Sequence, residues 1–165
     1  MFSLKKLNEA LLLKNTNYVV EEFEPSHFFQ MTYNAFDRKT IDEQESHEEM
    51  IAELNSHGHS FAFLHDKQIL ALFGFHEMWT GVLEVWMLPA PQIRGHVVTG
   101  HRAALRFFPF LASQYRAKRL QFAVCCTNVV ADIWAKRCYF EREGLMRRYG
   151  PDGSDYFLYA RLFDG

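Results

Sequence analysis

Histidine, cysteine and arginine carry the most reactive chemistry in this sequence. His65, His76, His96 and His101 are candidates for proton transfer, because imidazole changes charge near neutral pH. Against that stands the plainer reading of a lone histidine on a strand or loop as a structural residue. Cys125, Cys126 and Cys138 form no C-x-x-C pair and have no histidine at ligand spacing, so no metal site is expected. Cys125 and Cys126 lack an adjacent base and read as buried structural thiols, which suits a reducing, cytoplasmic setting. Arg137, Arg142, Arg147 and Arg148 gather near the C-terminus, and acidic residues gather between Glu43 and Glu53. Each group reads either as a binding patch or as a solvated face. A formal charge of −2 over 165 residues gives no field that would concentrate nucleic acid, so no nucleic-acid partner is expected.

These residues must be positioned by one body. The length suits a single domain over 1–165, and a hydrophobic share of 48% with 16 phenylalanines implies a core built largely of rings. Leu11-Leu12-Leu13 is too short for a membrane span or a leader, and the start reads as a short helix at about 3–14. Tyr18 to Glu24 reads as a strand. A helix then starts at Pro25-Ser26 and runs through Phe36, with a break from Asp37 to Thr40. Ile41, Met50, Ile51 and Leu54 among many acids predict an exposed amphipathic helix to about Asn55. Ser60 to His65, Ile69 to Phe75 and Val82 to Leu88, joined by polar turns, predict a three-stranded antiparallel meander.

Val98 to Arg116 predicts the longest helix, with Pro109 bending or interrupting it. Leu120 to Cys126 is a nearly continuous apolar run, the pattern of a strand covered on both faces, with Leu120, Phe122 and Val124 mostly buried against helices. Asn128 to Cys138 reads as a helix in which Trp134 packs in the core. Phe140 to Arg148 and Tyr156 to Phe163 form a hairpin around Tyr149-Gly150-Pro151-Asp152-Gly153. The resulting fold class is α/β: a mixed sheet in the order β-α-α-β-β-β-α-β-α-β-β, with helices on both faces.

That order resembles the GNAT (GCN5-related N-acetyltransferase) superfamily, and three segments carry the likeness over roughly the C-terminal half. Leu83 to Leu88 followed by Gln92-Ile93-Arg94-Gly95-His96 resembles the fourth strand and the acyl-CoA pyrophosphate loop. Leu120 to Cys126 followed by Asn128-x-x-Ala131 resembles the fifth strand and its helix. Tyr139 to Gly144 stands where the family has a Gly-Phe pair and a turn. The tail from Arg148 to Arg161 is similar to acetyltransferase-like proteins of tailed phages, which implies the host cytoplasm or the virion as location.

The resemblance implies acetyl-CoA as cofactor, held by Met87, Leu88, Gln92, Arg94, Gly95, His96, Val97 and Asn128. It implies direct transfer to an amine, with Glu84 as general base; the other reading makes Glu84 an outward-facing strand residue. The family often has a tyrosine acid where this chain has Ala135. Tyr139 is the nearby candidate, unless its ring only packs. Val97 stands where the family has a small residue. The expectation is a partly closed loop, with Val97 or Val98 turned to the core, Thr99 capping the helix and acyl-CoA affinity weak. Two functions follow: an acyl-CoA-dependent N-acetyltransferase acting on an unknown amine, or a catalytically silent GNAT-fold protein for binding or virion assembly with a protein partner.

Overall fold

Nearly continuous apolar runs, buried on both faces, build the centre of the sheet. In this computed structural model the description covers residues 2–14, 16–43, 47–56 and 59–164. Strands β1 (Tyr18–Glu22), β2 (His59–His65), β3 (Gln68–Trp79) and β4 (Val82–Pro89) are antiparallel neighbours. Asp66 and Lys67 turn the chain between β2 and β3 at φ 47° and 67°, the two left-handed residues of a tight hairpin turn. Gly81, at φ 83°, does the same between β3 and β4. Helix α5 (Val97–Tyr115) then carries the chain to β5 (Arg119–Cys125), which lies parallel to β4. After α6 (Val129–Arg137), β6 (Glu141–Met146) and β7 (Tyr156–Leu162) complete a seven-stranded mixed sheet in the order β1-β2-β3-β4-β5-β7-β6.

Each face of the sheet has its own core. On one face α1 (Leu4–Ala10), α5 and α6 pack over Leu70, Phe75, Leu83, Val85, Leu120, Val124 and Tyr159. On the other, α2 (Pro25–Gln30), α3 (Ala35–Asp42) and α4 (His47–Ser56) cover Ala62, Leu64, Leu72 and Ala90, joined by Trp86 and Leu88. The expected fold class is therefore observed, with one helix more between β1 and β2.

Several local expectations need correction. The helix expected through Phe36 ends at Gln30, because Met31 is extended at ψ 142°. The expected break from Asp37 to Thr40 is instead helical: Asn34 Oδ1 accepts from the Asp37 N–H at 3.0 Å and starts α3. The side chain of Leu54 lies outside the described residues. Pro109 does not interrupt α5, which runs unbroken for 19 residues. Its ring removes one backbone donor, while Phe107, Phe108, Leu111 and Ala112 on both sides are buried in the core and hold the helix together. On β5, Leu120 and Val124 are buried; Phe122 is half-buried, packed against Phe140 at 4.6 Å between ring centroids. The opposite face of β5, from Arg119 to Cys125, is only half-covered.

Two packing features make testable predictions. Gly74 lies under Trp86, and a Cβ there would come 2.5 Å from the His59 carbonyl oxygen and 2.8 Å from the indole. Gly74→Ala should lower stability by about 1–3 kcal/mol in denaturant titration, the usual cost of overpacking. Asp37, at the start of α3, has its carboxyl pushed up to about 6 by burial, partly offset by the Asn34 amide. Between its ordinary 3.8 and that value the folded chain binds a proton more readily than the unfolded chain. Stability from this group is thus complete below 3.8 and falls as pH rises through about 6. Thermal melts across this window should show that decline in the wild type and a flatter profile in Asp37→Asn.

Candidate active site

Strands β4 and β5 pair over three residues only: Val82 with Arg119, Leu83 with Leu120 and Glu84 with Gln121. Beyond Glu84 no further β4–β5 pair forms, although β4 continues to Pro89 and β5 to Cys125. Glu84 therefore stands where the sheet parts. Leu83 and Val85 point into the first core, so alternation places Glu84 on the opposite face, with Trp86. It is half-buried and lies between His76 on β3 and Gln121 on β5, its cross-strand partners.

Arg119 and Lys39, two cations near this face, already have partners. Arg119 Nη1 donates to Glu143 Oε1 at 2.9 Å, and Arg119 Nε donates to Gln121 Oε1 at 2.7 Å. Gln121 Nε2 in turn contacts Met78 Sδ at 3.4 Å. Lys39 on α3 pairs with Asp152 at 2.6 Å. Among the described residues Glu84 makes no ion pair.

Tyr149 reaches this face from the loop between β6 and β7. That loop is tied at every step: the Arg148 N–H donates to Asp155 Oδ1 at 2.8 Å, Gly150 N–H to the Ser154 carbonyl at 3.0 Å, and Ser154 N–H to Asp152 Oδ1 at 2.9 Å. Gly150 has no room for a side chain, since a Cβ would lie 2.4 Å from Ser154 Oγ and 2.8 Å from the Tyr156 ring. The Tyr149 ring rests against Tyr156 at 5.4 Å, and Tyr156 pairs across the strands with Cys125. Burial, and then the charge of Glu84, raises the Tyr149 phenol above its ordinary value, so it keeps its proton at neutral pH. Sequence reasoning missed Tyr149, which there is only part of a turn.

The second half of the site begins at Pro91–His96, a 3-10 turn leading into α5. Two features of the expected closed loop are not observed. Val97 and Val98 are 55% and 64% exposed instead of turning to the core, because both lie on the outer side of the first helical turn. Thr99 is the third residue of α5 and does not cap it; the N-cap is His96, whose side chain makes no cap bond. No acidic residue stands in that first turn, and a Cβ added to Gly95 would meet nothing within 4 Å. No side chain caps this end, where the positive pole of a long helix dipole lies.

The remaining expected residues separate. Gln92 Oε1 is buried without a hydrogen-bond partner, and turning the amide through 180° presents Nε2 there instead. Arg94 is exposed beside Gly95. His96 is engaged by Tyr18, with Nδ1 and Oη 2.7 Å apart. Met87 is exposed and Leu88 half-buried on the free length of β4. Asn128 caps α6, its Oδ1 accepting from the Ala131 N–H at 3.1 Å. Val129, Val130 and Ile133 on α6 are exposed, like Val97 and Val98 on α5. Tyr139 lies next to α6. It closes the C-terminal end of α6 at φ 64°, a conformation that favours glycine, and its ring lies 5.4 Å from the Arg161 guanidinium on the first-core face. Ala135 is fully buried. Burial pushes the Cys138 thiol up to about 12, which makes it inert.

Among the described residues no group of three or more His, Cys, Asp or Glu side chains is placed to hold a metal ion, and no helix is long and apolar enough to cross a membrane. No family model matches the chain, and no curated protein matches it by sequence. Solved structures do match. A GNAT-family acetyltransferase from Bacillus anthracis superposes with a TM-score of 0.70 at 17% identity, covering 90% of this chain and 96% of that one. The ribosomal-protein-S5-alanine acetyltransferase from Vibrio fischeri gives 0.69 at 13% identity, covering 92% and 96%. A ribosomal L7/L12 alpha-N-protein acetyltransferase in complex with coenzyme A gives 0.66 at 14% identity, covering 91% and 96%. At these identities the likeness establishes the GNAT fold of this chain.

Proposed function

We propose that this chain is an acyl-CoA-dependent N-acetyltransferase that transfers an acyl group to an amine, with Glu84 as general base. The observation that carries this reading is the parting of β4 and β5 directly after Glu84. The neighbour solved with coenzyme A supports the choice of cofactor.

The residues present fit that group. The uncapped N-terminus of α5 suits a pyrophosphate, and Arg94 adds an exposed charge beside it. The exposed aliphatics of α5 and α6 suit its apolar portions, and Met87 and Leu88 lie on the free length of β4. When bound, acyl-CoA supplies an activated thioester. Glu84 holds the position from which a carboxylate takes a proton from an incoming ammonium. Tyr149 holds a proton at Oη on the same face, the part that the sequence assigned to Tyr139.

A place in tailed phages, with the host cytoplasm or virion as location, stays a proposal supported by the 148–161 tail alone. To test the reading, the protein is incubated with acetyl-CoA and a mixture of primary amines while free thiol is measured. Amine-dependent thiol release is expected. Release that never exceeds the amine-free rate would reject catalysis.

A further inference from the structure

We propose that helix α3 is a movable strap across the open end of the gap between β4 and β5, latched by the Lys39–Asp152 ion pair, and that its opening controls how readily an acceptor enters. Control of entry rests on the acyltransferase reading; the movement of the strap can be measured without any substrate.

Two anchors far apart in the chain place α3 over the gap. Strands β4 and β5 run parallel and stop pairing after Glu84 and Gln121, so their C-terminal ends, Pro89 and Cys125, stand on the two sides of the opening. Just before α3, Asn34 Nδ2 donates to the Pro89 carbonyl at 3.3 Å and ties the helix to the β4 side. Further along, Lys39 Nζ donates to Asp152 Oδ2 at 2.6 Å and ties it to the loop between β6 and β7. That loop leads into Tyr156, the cross-strand partner of Cys125, so the second anchor belongs to the β5 side. Ile41 packs in the same core as Trp86 and Leu88, which sets the bridge on the second face of the sheet.

The two sides of the latch differ in firmness, and this decides which part moves. Asp152 Oδ1 accepts from the Ser154 N–H at 2.9 Å, and the Gly150 N–H donates to the Ser154 carbonyl at 3.0 Å, so the loop holds its carboxylate independently of Lys39. Helix α3 is held far less. Of its eight residues only Ile41 is buried, and Phe36 is 44% exposed. A helix of that length is not stable alone in water, and few buried apolar contacts mark a segment that opens locally. The Lys39 side chain is 62% exposed, so its ion pair is weak and screened by salt. If the acceptor enters only past an open strap, its apparent affinity scales with the open fraction.

The test joins hydrogen exchange read by mass spectrometry to steady-state rates of amine acetylation. In the wild type, the helical amides of α3 should exchange faster as salt rises from about 0.05 to about 0.5 M. Lys39→Met and Asp152→Asn should each speed that exchange about two- to fivefold and remove most of the salt effect. Asparagine keeps the acceptor for the Ser154 N–H, so the loop stays tied. Lys39→Arg keeps the pair and should match the wild type. Exchange in α5 should not change, which separates local opening from lost stability. In both latch-free variants kcat/KM for the amine should rise by the same factor as the exchange rate, with KM for acetyl-CoA unchanged. Equal exchange in the wild type and Lys39→Met, or equal acceleration in α3 and α5, would overturn the strap. Faster exchange with unchanged kcat/KM would overturn its control of entry. A wild type without amine-dependent turnover would reject the acyltransferase reading and control of entry with it, and exchange alone would then decide the strap.

Discussion

Glu84→Gln should lower kcat/KM for amine acetylation by about 10²–10⁴-fold, the usual contribution of a positioned general base. The amide keeps the volume and the cross-strand contacts of the carboxylate with His76 and Gln121, so the fold should persist. It can neither accept the amine proton nor balance the ammonium. Coenzyme A affinity should be unchanged, because the start of α5 is built from backbone groups that Glu84 does not touch. Steady-state rates with saturating acetyl-CoA measure the effect. Near-wild-type turnover in Glu84→Gln would mean that the proton leaves by another route.

Tyr159→Ala should cost about 3–5 kcal/mol, the range for truncating a large buried ring. Tyr159 is fully buried under α6, and its hydroxyl donates to Asp132 Oδ1. Asp132 also accepts from Lys136 and Arg142, both at 2.6 Å, and Arg142 Nε donates to the Tyr159 hydroxyl at 3.2 Å. One ring thus joins α6, β6 and β7. The loop that carries Tyr149 lies between those two strands, so the packing that stabilises the sheet also aims the site. Tyr159→Phe keeps the ring and loses only the hydroxyl bonds, about 1–2 kcal/mol. Lys136 first, then Tyr159 and Arg142, hold the Asp132 carboxyl below its ordinary value. Its contribution is therefore present above the unfolded carboxylate range and declines as pH falls into acid. Denaturant titration of the two variants should give the stated order. Equal losses would show that the hydroxyl network dominates the ring.

The meander and α5 were legible because apolar runs between polar turns and helical spacing are local signals that tertiary packing did not override. The Asp66-Lys67 and Thr80-Gly81 turns declare themselves by composition. The α2–α3 split was not legible: Phe28, Phe29, Met31 and Phe36 fit one helical period, and only the Asn34 cap, three residues before Asp37, marks the restart. Glu84 could be placed by its strand, but the gap beside it depends on how far β4 and β5 pair. Tyr149 was hidden for a similar reason. Its approach to Glu84 follows from the strand order β5-β7-β6 and the tied loop, neither of which is written in neighbouring residues. Val97 and Val98 read as core-facing from their apolar character alone. On the first turn of α5 both point to solvent.

The central claim is that the uncapped start of α5 receives the phosphates of an acyl-CoA. Calorimetric titration of the wild-type protein with acetyl-CoA tests it most directly, alongside a Gly95→Asp variant. The new side chain has free space and sets a carboxylate against the same N–H groups. Wild-type binding in the micromolar range is expected, weakened about tenfold or more in Gly95→Asp. No binding heat at several temperatures and high protein concentration, or equal affinity in the two proteins, would contradict the claim.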